Sequence, residues 1–561
     1  MHVVPAATEQ RFPALPLYPS MSILLPALLC GATWILWRFF RPYAAKSPLD
    51  NLPGPARTSF LRGNLGDLFN RHGWDFHDRI AAEYAAVTRY HGMFGTRGLY
   101  VSDAKAMHHI VVKDQHVYEE PTWFLAWLGI AFGPSLLSSM GEEHRKQRKL
   151  LNPVFSNANT RDLTPIFYST IHRLRMAVEK QVGDTTAEVD VLNWMGRTAL
   201  ELIGQGGLGY SFDPLTEDSR NVFGDAIKTF IPLTFALHYY RLLYPKVRNI
   251  GSPAFRSAVV KLIPSKNLRA LRALVSTMQT QARLIFDGKK RALAEGNKAV
   301  MHQIGEGKDI MSILMKANMD AKGEDKLPES HVVGQMSALV TAATDTTSNA
   351  LSRLFHLLAQ HQDIQDRVRA ELLEASINGA DIPYDTLVEL PWLDAICRES
   401  LRLYAPVTMV SREVREDIVL PFAEPIRGLD GSMLDEVLVP KDTTIIVGIR
   451  ACNRNKAIWG DDVLEWKPER WINGLPASVT AARVPGLYSN LMTFLGGGRA
   501  CIGFKFSQLE MKVALSVMLR AFRFHLSDKE IYWNLAGVNY PTIGKESNRP
   551  AMILRLEPLK H

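Results

Sequence analysis

The sequence predicts one large, mainly α domain with minor β-sheets, set behind a short N-terminal apolar segment. Three observations carry that prediction. A chain of 561 residues, 47% hydrophobic and 22% charged, can bury a large core. Apolar residues recur at helical spacing over Met336–Gln360, Gln365–Ser376, Leu393–Tyr404 and Phe504–Phe522, whereas strand-like runs such as Tyr100-Val-Ser and Thr443–Ile449 are short. Nothing divides the main stretch: it contains no internal repeat, no low-complexity tract and no second domain boundary.

The elements follow in order. Residues 1–20 form an N-terminal tail. Residues 21–37, MSILLPALLCGATWILW, carry no charge and end in Trp34 and Trp37, with Arg38, Arg41 and Lys46 following. Such a run sits at the short limit for a membrane-spanning helix, and its aromatic and cationic flank matches an interface anchor. The cation bias places everything after residue 37 in the cytosol. A cleaved signal peptide is the rival reading, but the positive charges come after the apolar run and a long tail precedes it. Residues 38–56 then form a linker ending in Leu52-Pro-Gly-Pro55, where the prolines forbid helix continuation. The domain itself is expected over 57–561.

The net charge of +8 is spread along the chain, without a basic tail or zinc-finger spacing. That excludes a dedicated nucleic-acid binder and suits an anionic membrane or an acidic partner. Arg145, Lys146 and Lys149 could form a docking face, with an ordinary solvated surface as the alternative. Cysteines stand only at 30, 397, 452 and 501, too few for a disulfide framework and with no CxxC pair. Cys397 and Cys452 lie among apolar neighbours and read as inert core thiols.

Cys501 is different. It follows Phe494-Leu-Gly-Gly-Gly-Arg-Ala and precedes Ile-Gly503, immediately before a helical pattern. Glycines at 496–498 permit a tight turn and a close backbone approach to a flat cofactor, and a helix N-terminus stabilises a thiolate. Phe494, Gly497, Arg499, Cys501 and Gly503 together spell FxxGxRxCxG, by which the chain resembles the cytochrome P-450 superfamily of haem-thiolate monooxygenases. The resemblance implies the cytochrome P-450 fold. It makes Cys501 the axial ligand of a haem iron, with Phe494 covering the sulfur and Arg499 pairing with a haem carboxylate.

Further motifs follow in the family's order. Glu399 and Arg402, three apart on one helix face, and Arg470 in Trp466-Lys-Pro-Glu-Arg-Trp471 are similar to the triad that locks the cysteine loop. Ala342-Ala-Thr-Asp-Thr-Thr347 resembles the oxygen-activation motif, which gives Thr346 a hydrogen bond to bound dioxygen and Asp345 a part in proton relay; Ala343 replaces the usual Gly. His144 and Arg148, one helical turn apart, and Arg412 match residues that contact haem propionates, His144 standing where relatives have Trp. Asp442 departs from a usual Pro-Lys-Gly-Thr turn. Substrate contacts are expected from Trp123, Phe124, Ala338, Ala342, Val407 and Met409, with Phe230–Tyr240 as another wall.

The resemblance, which is to membrane-anchored fungal (basidiomycete-like) microsomal members, implies insertion of one oxygen atom from O2 into a hydrophobic small molecule, by hydroxylation or epoxidation. A terpenoid or other secondary metabolite fits an apolar lining. About sixty residues follow Cys501, with no flavin segment, so electrons are expected from a separate NADPH–cytochrome P-450 reductase on the endoplasmic reticulum membrane. A haem-thiolate isomerase or peroxide-using enzyme is a rival, against which the Asp345–Thr346 pair counts. A non-catalytic, membrane-anchored haem-binding module is another.

Overall fold

The computed structural model describes residues 46–216, 262–296, 307–321, 323 and 326–559, with scattered positions between 26 and 37 and between 229 and 259. Most of the expected anchor and of the Phe230–Tyr240 wall lies outside the described residues. Among the described residues no helix is long and apolar enough to cross a membrane.

Ten helices position the site: α1 (Trp74–Glu83), α2 (Thr122–Phe132), α3 (Gly141–Leu151), α4 (Thr164–Val182), α5 (Val191–Leu202), α6 (Lys266–Glu295), α7 (Glu329–Gln360), α8 (Gln362–Ala375), α9 (Pro391–Leu403) and α10 (Phe504–Ala521). The four helices expected from periodicity are α7 to α10, with ends displaced by a few residues; α7 starts seven residues early, at Glu329. At ~1.5 Å per residue its 32 residues run roughly 48 Å, enough to cross the domain. Met336, Leu339, Val340, Leu351, Leu354, Phe355 and Leu358 sink into the largest core cluster, shared with α4, α5 and α10. Local chemistry sets several ends. Pro391 occupies the first turn of α9, where its missing N–H costs nothing. Helix α3 has Glu142 and Glu143 in its first turn and Arg148 and Lys149 in its last, both matched to the helix dipole.

The strands are β1 (Val87–His91), β2 (Arg97–Val101), β3 (Tyr118–Glu119), β4 (Ala187–Asp190), β5 (Val410–Val414), β6 (Ile418–Arg427), β7 (Met433–Val439), β8 (Thr444–Val447), β9 (Phe522–Leu526), β10 (Ile531–Asn534), β11 (Tyr540–Ile543) and β12 (Ile553–Pro558). The main sheet runs β1-β2-β8-β5-β3. Its one parallel pair joins β2 to β8 (Gly98 opposite Thr444), the two runs read from sequence. The second run ends early as a strand: Gly448 breaks it, and Ile449 opens a short helix. A second core cluster lies under this sheet, built on Leu99, Val101, Ile445, Val447 and Trp459. Asp442, the departure from the usual turn, has φ +64°, a left-handed conformation that Asp tolerates better than most side chains.

Candidate active site

The cysteine loop is held from both ends. Its backbone closes through Cys501 N–H donating to the Phe494 carbonyl at 2.8 Å. Gly497 sits at φ +67°, and a Cβ there would lie 1.8 Å from the Val111 carbonyl oxygen, so no other residue fits. Gly498 N–H donates to Gln115 at 2.7 Å. Gly503 is not demanded by the protein in this way, since the nearest atom to a Cβ there is 3.9 Å off, on Phe155. It caps α10, and its N–H reaches the Cys501 sulfur. Burial pushes the Cys501 thiol pKa up, against the Gly503 N–H and the positive charge of Arg148. What exposed surface Cys501 has faces two adjoining cavities.

The first cavity, about 240 Å³, lies between α7 and the loop and is lined by Phe124, Ala338, Ala342, Thr346, Cys501 and, at its edge, Arg148, His144 and Arg499. The second, about 300 Å³, shares Thr346, Phe494, Arg499 and Cys501 and adds Val407 and Val410. Thr346 thus faces the sulfur's side of the space from across it. Its hydroxyl donates to the Ala342 carbonyl at 2.7 Å, which both satisfies it and loosens the helix at that turn.

The space suits a flat apolar macrocycle with anionic edge groups: apolar walls, one thiol at its floor and cations at one rim. Arg148 donates to the Ala500 carbonyl at 2.8 Å and so packs beside the loop. His144 is buried, and burial with the charges of Arg499 and Arg148 drives its pKa to about 3, so it is a neutral donor at physiological pH. Arg412, 3% exposed, stands 3.6 Å from Glu120. Arg499 donates to the Ser139 carbonyl and pairs with both Glu119 and Glu120 at 3.0 Å. These two carboxylates, adjacent in sequence beside Pro121, escaped the sequence reading; their only local signal is an acidic pair at the end of a short strand. They fix the planes of Arg499 and Arg412 and temper the positive charge at the rim.

The lock forms with its three expected members. Arg402 and Glu399 are fully buried and paired through two parallel bonds, Nε and Nη2 donating at 2.9 and 2.8 Å. Arg470 forms an ion pair with Glu399 at 3.6 Å and also donates to Asp462 at 2.9 Å. The remaining valences of Glu399 are met by Trp471 Nε1 at 2.9 Å and Lys467 N–H at 3.1 Å. The link to the cysteine loop runs through Asn453, whose carbonyl accepts from Arg402. Its side chain accepts from Met492 N–H and donates to Thr493, each at 2.8 Å, two residues or fewer before Phe494. No sequence pattern pointed to Asn453.

Three expected contacts are corrected. Asp345 lines neither cavity; it is buried in the helix bundle, where Asn349 Nδ2 donates to its carbonyl at 2.8 Å and to its carboxylate at 3.3 Å. Trp123 does not line them either and packs edge-on against Phe124, which does. Met409 turns away to pack with the cluster around Leu65, Phe76 and Tyr100, because the chain bends at Pro406–Val407 and breaks the two-residue alternation.

Residues 53–536 match the family model of cytochrome P-450. The chain is 52% identical over 541 residues to a cytochrome P-450 monooxygenase of Postia placenta, covering 96% of this chain and 100% of the relative. It is 46% identical over 546 residues to a ganoderic acid synthetase of Ganoderma lucidum, with 96% and 100% covered. A cytochrome P-450 monooxygenase of Hericium erinaceus is 34% identical over 537 residues, with 94% and 96% covered. The chain belongs to the cytochrome P-450 family. It is a haem-thiolate monooxygenase that takes electrons from a reductase.

Proposed function

We propose that the chain inserts one oxygen atom from O2 into a C–H or C=C bond of a hydrophobic secondary metabolite of terpenoid type, drawing electrons from a separate NADPH–cytochrome P-450 reductase. The observation that carries the reading is the pair of cavities shared by Cys501 and Thr346. Haem, when bound, supplies the reduction of dioxygen and the oxygen transfer. The chain does the rest. Cys501 would hold the metal as a thiolate, with Gly503 N–H donating to the sulfur. Arg148, Arg499 and neutral His144 would hold the two carboxylates at the rim, while Arg412, which lines neither cavity, stands behind them on Glu120. Thr346 Oγ1 can move a proton from the wall it shares with both cavities. Asp345, one residue back on the helix, helps that relay without touching the reacting atoms, its carboxylate accepting from Asn349. Phe124, Ala338, Ala342 and Val407 orient an apolar substrate. The name of the Ganoderma lucidum relative supports a terpenoid-like substrate.

The same proposal tethers the domain to the endoplasmic reticulum membrane by residues 21–37, single-pass, catalytic domain in the cytosol. Phe60 and Leu61, 62% and 49% exposed just beyond the linker, favour a nearby apolar phase. Two experiments test the whole. Microsomes with reductase and NADPH are screened against terpenoids for substrate-binding spectra and oxygenated product; product formation without NADPH refutes the electron route. The reduced carbon monoxide spectrum must show the red-shifted thiolate band in the wild type and lose it in Cys501→Ala; its survival there overturns the ligand assignment.

A further inference from the structure

Beyond the α7 turn that carries Thr346, the same helix face reaches a different cavity. Asn349 and Arg353 follow Thr346 at three and seven residues, one and two turns on. They line a half-enclosed space of about 290 Å³ together with Trp74, Tyr404, Thr408, Arg450, Arg454, Tyr532, Trp533 and Asn539. Three arginines therefore share one small cavity, and no carboxylate lines it. The one acid held at its edge, Asp78, pairs with Arg450.

The arginines are held by aromatic faces, and Arg450 by Asp78 as well. Arg353 lies between the rings of Trp533 and Tyr404, 3.6 and 4.4 Å from their centroids. Arg454 lies 5.2 Å over Tyr404, and Arg450 5.1 Å over Trp74. Stacking immobilises a guanidinium while leaving its in-plane N–H donors unused. Arg454 spends donors on the Leu403 carbonyl. Arg353 makes no hydrogen bond or ion pair among the described residues. Burial and the two neighbouring cations lower the pKa of Arg353 to about 9. A second, independent observation points to a ligand: Thr408, only 5% exposed, lines the cavity, and its buried Oγ1 has no hydrogen-bond partner among the described residues. A pre-set fork of donors, an idle hydroxyl and three cations against the single paired carboxylate of Asp78 match an oxyanion.

We propose that this cavity is a binding site for a small oxyanion, a phosphate or carboxylate, held by Arg353 and Thr408 with Arg450 and Arg454 completing its charge. The site is separate from the haem space yet shares a wall with it. Tyr404, Ala405, Pro406 and Thr408 face the arginines, while Val407 faces the second haem-side cavity and Pro406 borders both. An occupied site braces the segment that presents Val407 to substrate.

The test uses the haem-loaded full chain. Inorganic phosphate is titrated calorimetrically at constant ionic strength, and binding to phosphatidylcholine vesicles with and without phosphatidic acid is measured in parallel. The wild type is expected to bind phosphate saturably. R353Q should weaken that by roughly tenfold to a hundredfold, the range for losing a hydrogen bond to a charged group. T408V, which removes an unpartnered hydroxyl and so should fold normally, should weaken it by a smaller factor, and R353K should fall between. All variants should keep the carbon monoxide band, which separates failure of this site from failure of the haem site. Binding that requires phosphatidic acid vesicles and is lost in R353Q identifies the oxyanion as a lipid headgroup. No binding to either probe, or binding that R353Q and T408V leave unchanged, overturns the proposal.

Discussion

Removing the Glu399 carboxylate should free the cysteine loop before it unfolds the domain. Glu399→Leu leaves Arg402, fully buried, without the two charge-assisted bonds at 2.8 and 2.9 Å that compensate it. It also strands the Trp471 indole N–H and the Lys467 N–H. Breaking a buried pair from one side costs about 3–5 kcal/mol, because a charge stays buried without a partner. Against a total stability of about 5–15 kcal/mol, that is a large fraction. Arg402 also anchors the Asn453 carbonyl, and Asn453 holds Met492 and Thr493, so the first motion to appear should be in the residues leading into Phe494. The assay is haem release to an acceptor protein, alongside urea unfolding followed by far-ultraviolet circular dichroism. Glu399→Leu should release haem much faster than wild type and lose the thiolate carbon monoxide band first. Asn453→Ala, which breaks the link and leaves the ion pair, should speed haem release while costing only about 1–3 kcal/mol of stability. The double variant Glu399→Leu with Arg402→Leu should be less destabilised than the sum of the two singles, since no lone charge remains. Additive singles, or haem release unchanged in Asn453→Ala, would refute the transmission through Asn453.

Further outcomes are expected. Thr346→Ala removes a hydroxyl that lines both haem-side cavities beside Cys501; turnover should fall roughly a hundredfold while stability stays within about 0.5 kcal/mol, read by steady-state kinetics and urea melts. Gly497→Ala puts a methyl on the Val111 carbonyl and should abolish haem loading, whereas Gly503→Ala meets no protein atom closer than 3.9 Å and should leave the apoprotein's melting temperature unchanged. His77 and His356 are buried, and their pKa values are driven to about 4. The folded state then binds fewer protons than the unfolded one, so stability is full above pH 6.5 and falls as pH drops from about 6.5 to about 4, by an amount of the order of a few kcal/mol. His77→Asn should flatten that slope in unfolding measured at pH 7.5 and pH 5; an unchanged slope would show that His77 is not a source of it.

Legibility in the sequence followed the range of the interaction. The long helices were legible because periodicity is a local property: α8, α9 and α10 came out near their expected bounds, and α7 at its C-terminal end. The cysteine loop was legible because its requirements are backbone ones, and Gly497 at positive φ cannot be another residue without a clash. Positions defined by a bend were not legible. Val407 and Met409 are two apart and were both read as facing the pocket, yet the turn at Pro406–Val407 sends Met409 into a different core. Asp345 and Thr346 are neighbours on one helix and so point about 100° apart; the motif assigns both a role, but Thr346 lines both cavities and Asp345 lines neither.

The residues that sequence missed share a property, and it explains why the site holds together. Glu119, Glu120, Asn453 and Trp471 each complete the valence of a residue that was found. Glu119 and Glu120 do so for Arg499, 379 or more positions away; Asn453 does so for both Arg402 and Met492; Trp471 does so for Glu399. Buried arginines and carboxylates cannot be left half-satisfied, so each motif residue obliges a partner somewhere in the fold. The motif fixes the need without fixing the address, which topology alone supplies when β3, α9 and the cysteine loop converge. Arg353 differs from these: half-buried between two rings, it makes no hydrogen bond or ion pair among the described residues, and the oxyanion proposed for its cavity would be its partner.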